Sequence, residues 1–148
     1  MPSLVVKELE LDRMAEAYPL IRRTARVSSD QWTKFGRDLV SKGGGVLAAF
    51  AEDGRVHGVA AYLPVISLKH GQVLRVEAIA AFELGHVSIV RNVLSSALDK
   101  MARQRGCDVV MISLEARGLT SPRSRRRRSW EALGLTAETM EFVRHLDG

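Results

Sequence analysis

The sequence predicts an α/β domain built on a mostly antiparallel, mixed central sheet flanked by helices. Three observations carry that expectation. The segment from Val73 to Ala81 alternates at the period of a strand. The stretch from about Val87 to Arg105 is amphipathic at the helical period, stops at Gly106, and leads into the apolar run Val109 to Leu114. That strand–helix–strand crossover gives the sheet one parallel pair. Upstream, Glu52-Asp53-Gly54-Arg55 separates two apolar runs, and Asp-Gly is a strong hairpin signal.

In chain order, Leu4 to Leu9 reads as a short strand. A helical segment from about Asp12 to Arg26 follows, with Met14, Tyr18, Ile21 and Ala25 at spacings of three or four and Pro19 placed to kink it. Ser29 and Asp30 are N-cap candidates for a second helix carrying Trp32, Phe35 and Leu39 on one face, and Gly43-Gly44-Gly45 ends it. The hairpin strands are Val46 to Ala51 and Val56 to Leu63. Ser67 to Gly71 is a second polar turn, entering the strand Gln72 to Ala81. Ser121-Pro122 reads as a helix start and Gly134 as its stop, with a last strand at Met140 to Leu146. No internal repeat or linker divides the chain, which reads as one domain, 1–148.

This order of elements, together with the segment Ser129-Trp130-Glu131-Ala132-Leu133-Gly134-Leu135, resembles the GCN5-related N-acetyltransferase (GNAT) superfamily over nearly the whole chain. The resemblance implies an acyl-CoA N-acyltransferase fold, with an opening between the fourth and fifth strands into which a pantetheine arm is inserted. It implies acetyl-CoA as co-substrate and an amine, of unidentified structure, as acceptor.

Composition bounds the alternatives. The chain has 148 residues, 46% hydrophobic and 26% charged, the balance of a globular protein with a sizeable core. No apolar run approaches a membrane span, and no basic segment with an apolar signal core opens the chain, so the expected compartment is the cytoplasm. The single cysteine, Cys107, forms no internal disulfide and reads as core packing; no Cys/His cluster has metal-ligand spacing. The net charge is +5, but Arg123 and Arg125 to Arg128 supply five of the 22 basic residues, and without them the chain is neutral. Nucleic acid is therefore a weaker reading than a local anion site.

The chemistry-bearing candidates lie around the fourth strand and the helix after it. A helix beginning near His86 to Ser88 offers free N–H groups and a positive dipole end to a pyrophosphate. The superfamily strengthens this place with an Arg/Gln-x-x-Gly-x-Gly/Ala loop; here the segment reads Phe82-Glu83-Leu84-Gly85-His86-Val87-Ser88. Gly85 and Ser88 are small, but no register gives the full motif, and Glu83 adds a negative charge where a phosphate prefers none. The resemblance assigns Gly85, His86, Val87 and Ser88 to the phosphates, and the backbone of Ile79 and Ala81 to the pantetheine. His86 also reads as an ordinary surface residue.

Acyl transfer to an amine needs a proton acceptor, and Glu77 on the fourth strand is the best placed carboxylate. Alternation puts Val73, Arg75, Glu77, Ile79 and Ala81 on one face. Glu77 is then a base tuned by Arg75, or half of a solvent-side ion pair. Trp130 stands where the superfamily often carries a proton-donating tyrosine, and an indole N–H donates a hydrogen bond without useful acidity. The five arginines, placed in the first two turns of the helix before Trp130, read as CoA phosphate ligands, as a site for an acidic partner, or as a solvated face. A short C-terminus leaves the acceptor side open, or lets a second subunit complete it as a homodimer. The sequence thus points to a CoA-dependent N-acetyltransferase, with a catalytically inactive GNAT-fold module acting through its arginine helix as the competing reading.

Overall fold

The computed structural model describes residues 3–83 and 88–146. Its five-stranded sheet runs in chain order, β1 (Val5–Glu8), β2 (Gly45–Phe50), β3 (Val56–Ser67), β4 (Gly71–Ala81) and β5 (Val109–Ile112). The first three junctions are antiparallel and β4–β5 is parallel, as the crossover requires. All five strands lie in one compact unit, Met1–Glu115; a second unit spans Ala116–Gly148.

Register assigns the faces, because directly opposed residues point the same way. Val59 and Ala61 of β3, with Ala80 of β4, join a core containing Met14, Ile21, Trp32 and Leu39. That face is covered by a 3-10 helix (Leu11–Glu16), α1 (Tyr18–Ile21) and α2 (Ser29–Ser41). Trp32 donates its indole N–H to the Met14 carbonyl at 2.8 Å, tying α2 to the 3-10 helix. The other face takes α3 (Ile89–Gln104), whose Val90, Leu94, Leu98 and Ala102 are buried.

Several boundaries differ from the sequence expectation. The helix expected over Asp12 to Arg26 is the 3-10 helix followed by the single turn of α1. Pro19 enters at the start of α1, where its missing N–H costs nothing; inside a continuous helix its ring would clash with the preceding turn. The N-cap of α2 is Ser28, not Ser29 or Asp30. Ser28 Oγ accepts from the Gln31 N–H at 3.1 Å, and Gln31 Oε1 accepts from the Ser28 N–H at 2.7 Å, a reciprocal box that only this spacing allows. Strand β3 runs past Leu63 to Ser67; Pro64 is accommodated because β2 pairs only as far as Tyr62, leaving β3 an edge there. Strand β5 stops at Ile112, two residues before the end of the apolar run.

Around the end of α3, Tyr62 is almost wholly buried and donates its hydroxyl to the Glu8 carboxylate. Arg105 lies over the Tyr62 ring, 5.3 Å from its centroid, and donates to the Gly43 carbonyl at 2.6 Å. Cys107, two residues after Arg105, is buried. Burial, and then the bond to Glu8, push the Tyr62 phenol above its ordinary value of 10.0.

In the second unit, α4 (Arg125–Glu131) starts later than Ser121-Pro122 indicates. Ser124 is the N-cap: its Oγ accepts from the Arg127 N–H at 3.2 Å and donates to the Gly118 carbonyl. Ser121 instead closes the preceding turn, accepting from the Arg123 N–H at 3.2 Å. Arg123 therefore precedes the helix rather than lying in it. Residues 140–146, expected as a strand, form no strand; Met140, Phe142, Val143 and Leu146 are exposed, so no sheet partner there rewards their alternation. No helix among the described residues is long and apolar enough to cross a membrane.

Because the raised Tyr62 phenol favours the native state only while neutral, its contribution is complete below about pH 10 and is lost as pH rises through the native value. Tyr62→Phe should cost about 1 kcal/mol at pH 7, the size of one hydrogen bond. Urea melts at pH 7 and pH 11 should show that gap closing; a gap constant with pH would mean the phenol is not held neutral by the fold.

Candidate active site at the fork between two strands

Strand β4 pairs with β3 through Ala81 but with β5 only from Val73 to Val76. The Ser113 N–H donates to the Val76 carbonyl at 2.9 Å at the end of that parallel ladder. Beyond it, among the described residues, Ala78 to Ala81 have strand pairing on the β3 side alone, and Glu77 is paired in register on neither side. Their other edge carries backbone N–H and C=O groups that an extended ligand can meet.

Glu77 sits where the strands part, and it is the extra residue of a β-bulge. Ala61 opposes Ala78 and Tyr62 opposes Val76, which leaves Glu77 without a partner in register on β3. The bulge corrects the alternation expected from the sequence. Val73 and Arg75 oppose Val65 and Leu63 on the α2 face, whereas Ile79 and Ala81 oppose Ala60 and Gly58 on the α3 face. Two residues set against one reverse the phase of everything after them. Arg75 and Glu77 nevertheless meet, the guanidinium donating to the carboxylate. The Glu77 side chain keeps about a third of its exposure, 36%, and Arg75 keeps 25%, so the pair is reachable from solvent.

Ile79 is buried and Ala81 half-buried. Gly85, His86 and Val87 lie outside the described residues. Ser88 is the N-cap of α3, but its hydroxyl makes no capping bond; it accepts from Arg91 Nη2 at 2.7 Å. The cap comes from Glu83. Its carboxylate accepts from the backbone N–H of Val90 at 2.8 Å and of Arg91 at 3.4 Å, and Arg91 Nε lies 3.5 Å away. Both side chains are largely buried, at 15% and 19% exposure. In the sequence Glu83 reads as a misplaced charge and Arg91 as nothing in particular; the signal for the cap is an acidic residue shortly before a helix start.

The arginine run is described within its own unit. Arg126 Nη1 donates to the Arg117 carbonyl at 2.5 Å, Arg128 Nη2 donates to the Arg123 carbonyl at 3.2 Å, and Arg127 Nε lies 4.0 Å from Glu131. Arg126 and Arg128 thus spend donors on carbonyls of the loop before α4, while Arg127 faces a carboxylate within the helix. Trp130, in the same helix, is half-buried. Among the described residues no group of three His, Cys, Asp or Glu side chains is placed to hold a metal.

No protein-family model matches this sequence, and no curated protein matches it in sequence. Solved structures do match in fold. An aminoglycoside 6'-N-acetyltransferase, AAC(6')-Ih from Acinetobacter baumannii, aligns with a TM-score of 0.79 at 12% identity, covering 99% of this chain and 100% of its own. A second aminoglycoside N-acetyltransferase, AAC(6')-Iy in complex with CoA, aligns at 0.77 and 17% identity over 98% and 96%. A transcriptional regulator from Bacillus halodurans C-125 aligns at 0.76 and 12% identity over 97% and 100%. The chain has the acyl-CoA N-acyltransferase fold of the GNAT acetyltransferases, as the order of its elements leads one to expect.

The seat of α3 generates a test. A Cβ on Gly58 would lie 2.5 Å from Val90 Cγ1 and 3.0 Å from Leu94 Cδ1, so the first turns of α3 rest on bare backbone. Gly58→Ala should destabilise by about 1–3 kcal/mol through overpacking. An unchanged urea midpoint would show that α3 is not seated there.

Proposed function

We propose that this chain, whose fold is that of the GNAT acetyltransferases, is an N-acyltransferase that moves an acyl group from a CoA thioester to an amine. The fork carries the reading: β4 is held on one side through Ala81 and freed on the other after Val76, with a bulged carboxylate at the point of divergence. The outer backbone groups of Glu77 to Ala81 suit the amides of an extended pantetheine arm, which adds to a strand edge as a further strand would. The end of α3 suits the diphosphate less well, because its Val90 and Arg91 amides are already engaged by Glu83.

The thioester supplies an activated acyl carbon. The amine nitrogen bonds to that carbon, the carbon–sulfur bond breaks, and the sulfur leaves as thiolate to be protonated by solvent. Glu77 takes the proton that the amine gives up, directly or through one water, and Arg75 orients its carboxylate. Partial exposure at the mouth of the fork allows the proton to pass on to solvent. This role needs no acid from Trp130.

A second reading, a non-catalytic module of the same fold, draws support from the engaged end of α3 and from the likeness to a transcriptional regulator. Turnover separates the two. Thiol release from acetyl-CoA over a panel of primary amines should exceed the amine-free rate for at least one acceptor. Glu77→Gln should then lower kcat by about a hundredfold or more, the lower range for loss of a general base, with the thioester Kd unchanged. Equal kcat in both proteins would return Glu77 to an ordinary ion pair, and no turnover with any amine would favour the binding module.

A further inference from the structure

The N-terminus of a long helix seeks an anion, and in α3 the sequence provides one. Glu83 places one carboxylate oxygen 2.8 Å from the Val90 N–H and the other 3.4 Å from the Arg91 N–H. It sits at 15% exposure with Arg91 Nε 3.5 Å away. These are the requirements of a bound phosphate, namely converging backbone donors, a positive dipole end and a cation. Ser88, the residue in the N-cap position, does not compete for those amides, since its hydroxyl accepts from Arg91 instead.

We infer that Glu83 is an internal occupant of the place where the donor's diphosphate would sit, and that it sets donor specificity by excluding that group. The inference rests on the acyltransferase reading for the donor but not for the exclusion itself. With Glu83 in place, a second anion at the same amides meets a carboxylate at close range, and the helix dipole is already satisfied. Recognition then falls to the acyl-pantetheine arm along Glu77 to Ala81, and the nucleotide end of CoA contributes little. The donor class is a pantetheine thioester, whatever group its distal oxygen carries. Neutralising Glu83 removes the repelling charge, so that an incoming anion can displace its side chain from the two amides beside the Arg91 guanidinium.

The test compares the wild-type chain with Glu83→Gln and Glu83→Ala. Calorimetry measures CoA and pantetheine, and amide resonances of Val90 and Arg91 are followed during titration with inorganic pyrophosphate. Gln retains an oxygen to accept from the Val90 N–H, so α3 keeps its cap; Ala serves should Gln fail to fold. The wild type should bind CoA and pantetheine within about threefold of each other, and pyrophosphate should leave both resonances in place. Glu83→Gln should tighten CoA by about tenfold or more, leave pantetheine unchanged, and let pyrophosphate shift both amides. Wild-type amides that respond to pyrophosphate, or CoA affinity unchanged or weakened in both variants, would overturn the inference. Pyrophosphate gained at those amides while neither thiol binds any form would uphold the exclusion and remove the acyltransferase reading instead.

Discussion

The site depends on a mismatch in backbone pairing. Strand β4 is hydrogen-bonded to β3 from Gly71 to Ala81 and to β5 only from Val73 to Val76. A buried strand must place its N–H and C=O groups somewhere, and here half of one edge is left for something other than a strand. The bulge at Glu77 belongs to the same constraint. An inserted residue bends the strand it interrupts, and the bend falls where β5 departs. The fork, the exposed carboxylate and the reversal of side-chain phase are three expressions of one inserted residue.

Helix α3 is the second fixed reference. It crosses from the end of β4 to the start of β5, so its N-terminus lies in the chain just beyond the free edge and its C-terminus just before the short parallel ladder. Bare backbone at Gly58 lets the helix sit close to the sheet, and the Arg105–Tyr62–Glu8 cluster holds its far end to β1 and β3. Glu83 finishes the near end with a carboxylate where Ser88 makes no capping bond. Helix position and anion chemistry are thereby determined by different residues, and either can change without the other.

Much of this was legible in the sequence. The alternation of β4, the amphipathic period of α3 and the Asp-Gly turn each act locally, and they led to the mixed sheet and its single parallel pair. The contact between Arg75 and Glu77, two residues apart, was also expected, although the bulge changes the alternation it was read from. What escaped was set by tertiary pairing. No local pattern announces that Glu77 is supernumerary, because a bulge is defined by the opposite strand, and so Ile79 and Ala81 were assigned to the wrong face relative to Arg75. The caps at Ser28 and Ser124 were displaced by a few residues in sequences offering several serines, where the geometry of the first turn decides. Glu83 read as a defect in a phosphate loop, since sequence gives the sign of a charge but not the amides it will reach. The strand expected at Met140 to Leu146 failed because alternation creates a strand only where a sheet edge accepts it.

The edge of β4 beyond Val76, which no strand among the described residues pairs, also bears on how the protein behaves in a crowded solution. An unpaired strand edge is a template for any extended chain, and a run as small and apolar as Ala78-Ile79-Ala80-Ala81 would accept a foreign segment readily. Two features guard this one. The bulge disrupts the regular spacing that an incoming strand needs, and the Glu77 carboxylate at the fork disfavours a close apolar neighbour. The irregularity that opens the slot to an extended small molecule therefore also protects the sheet against growing by accretion.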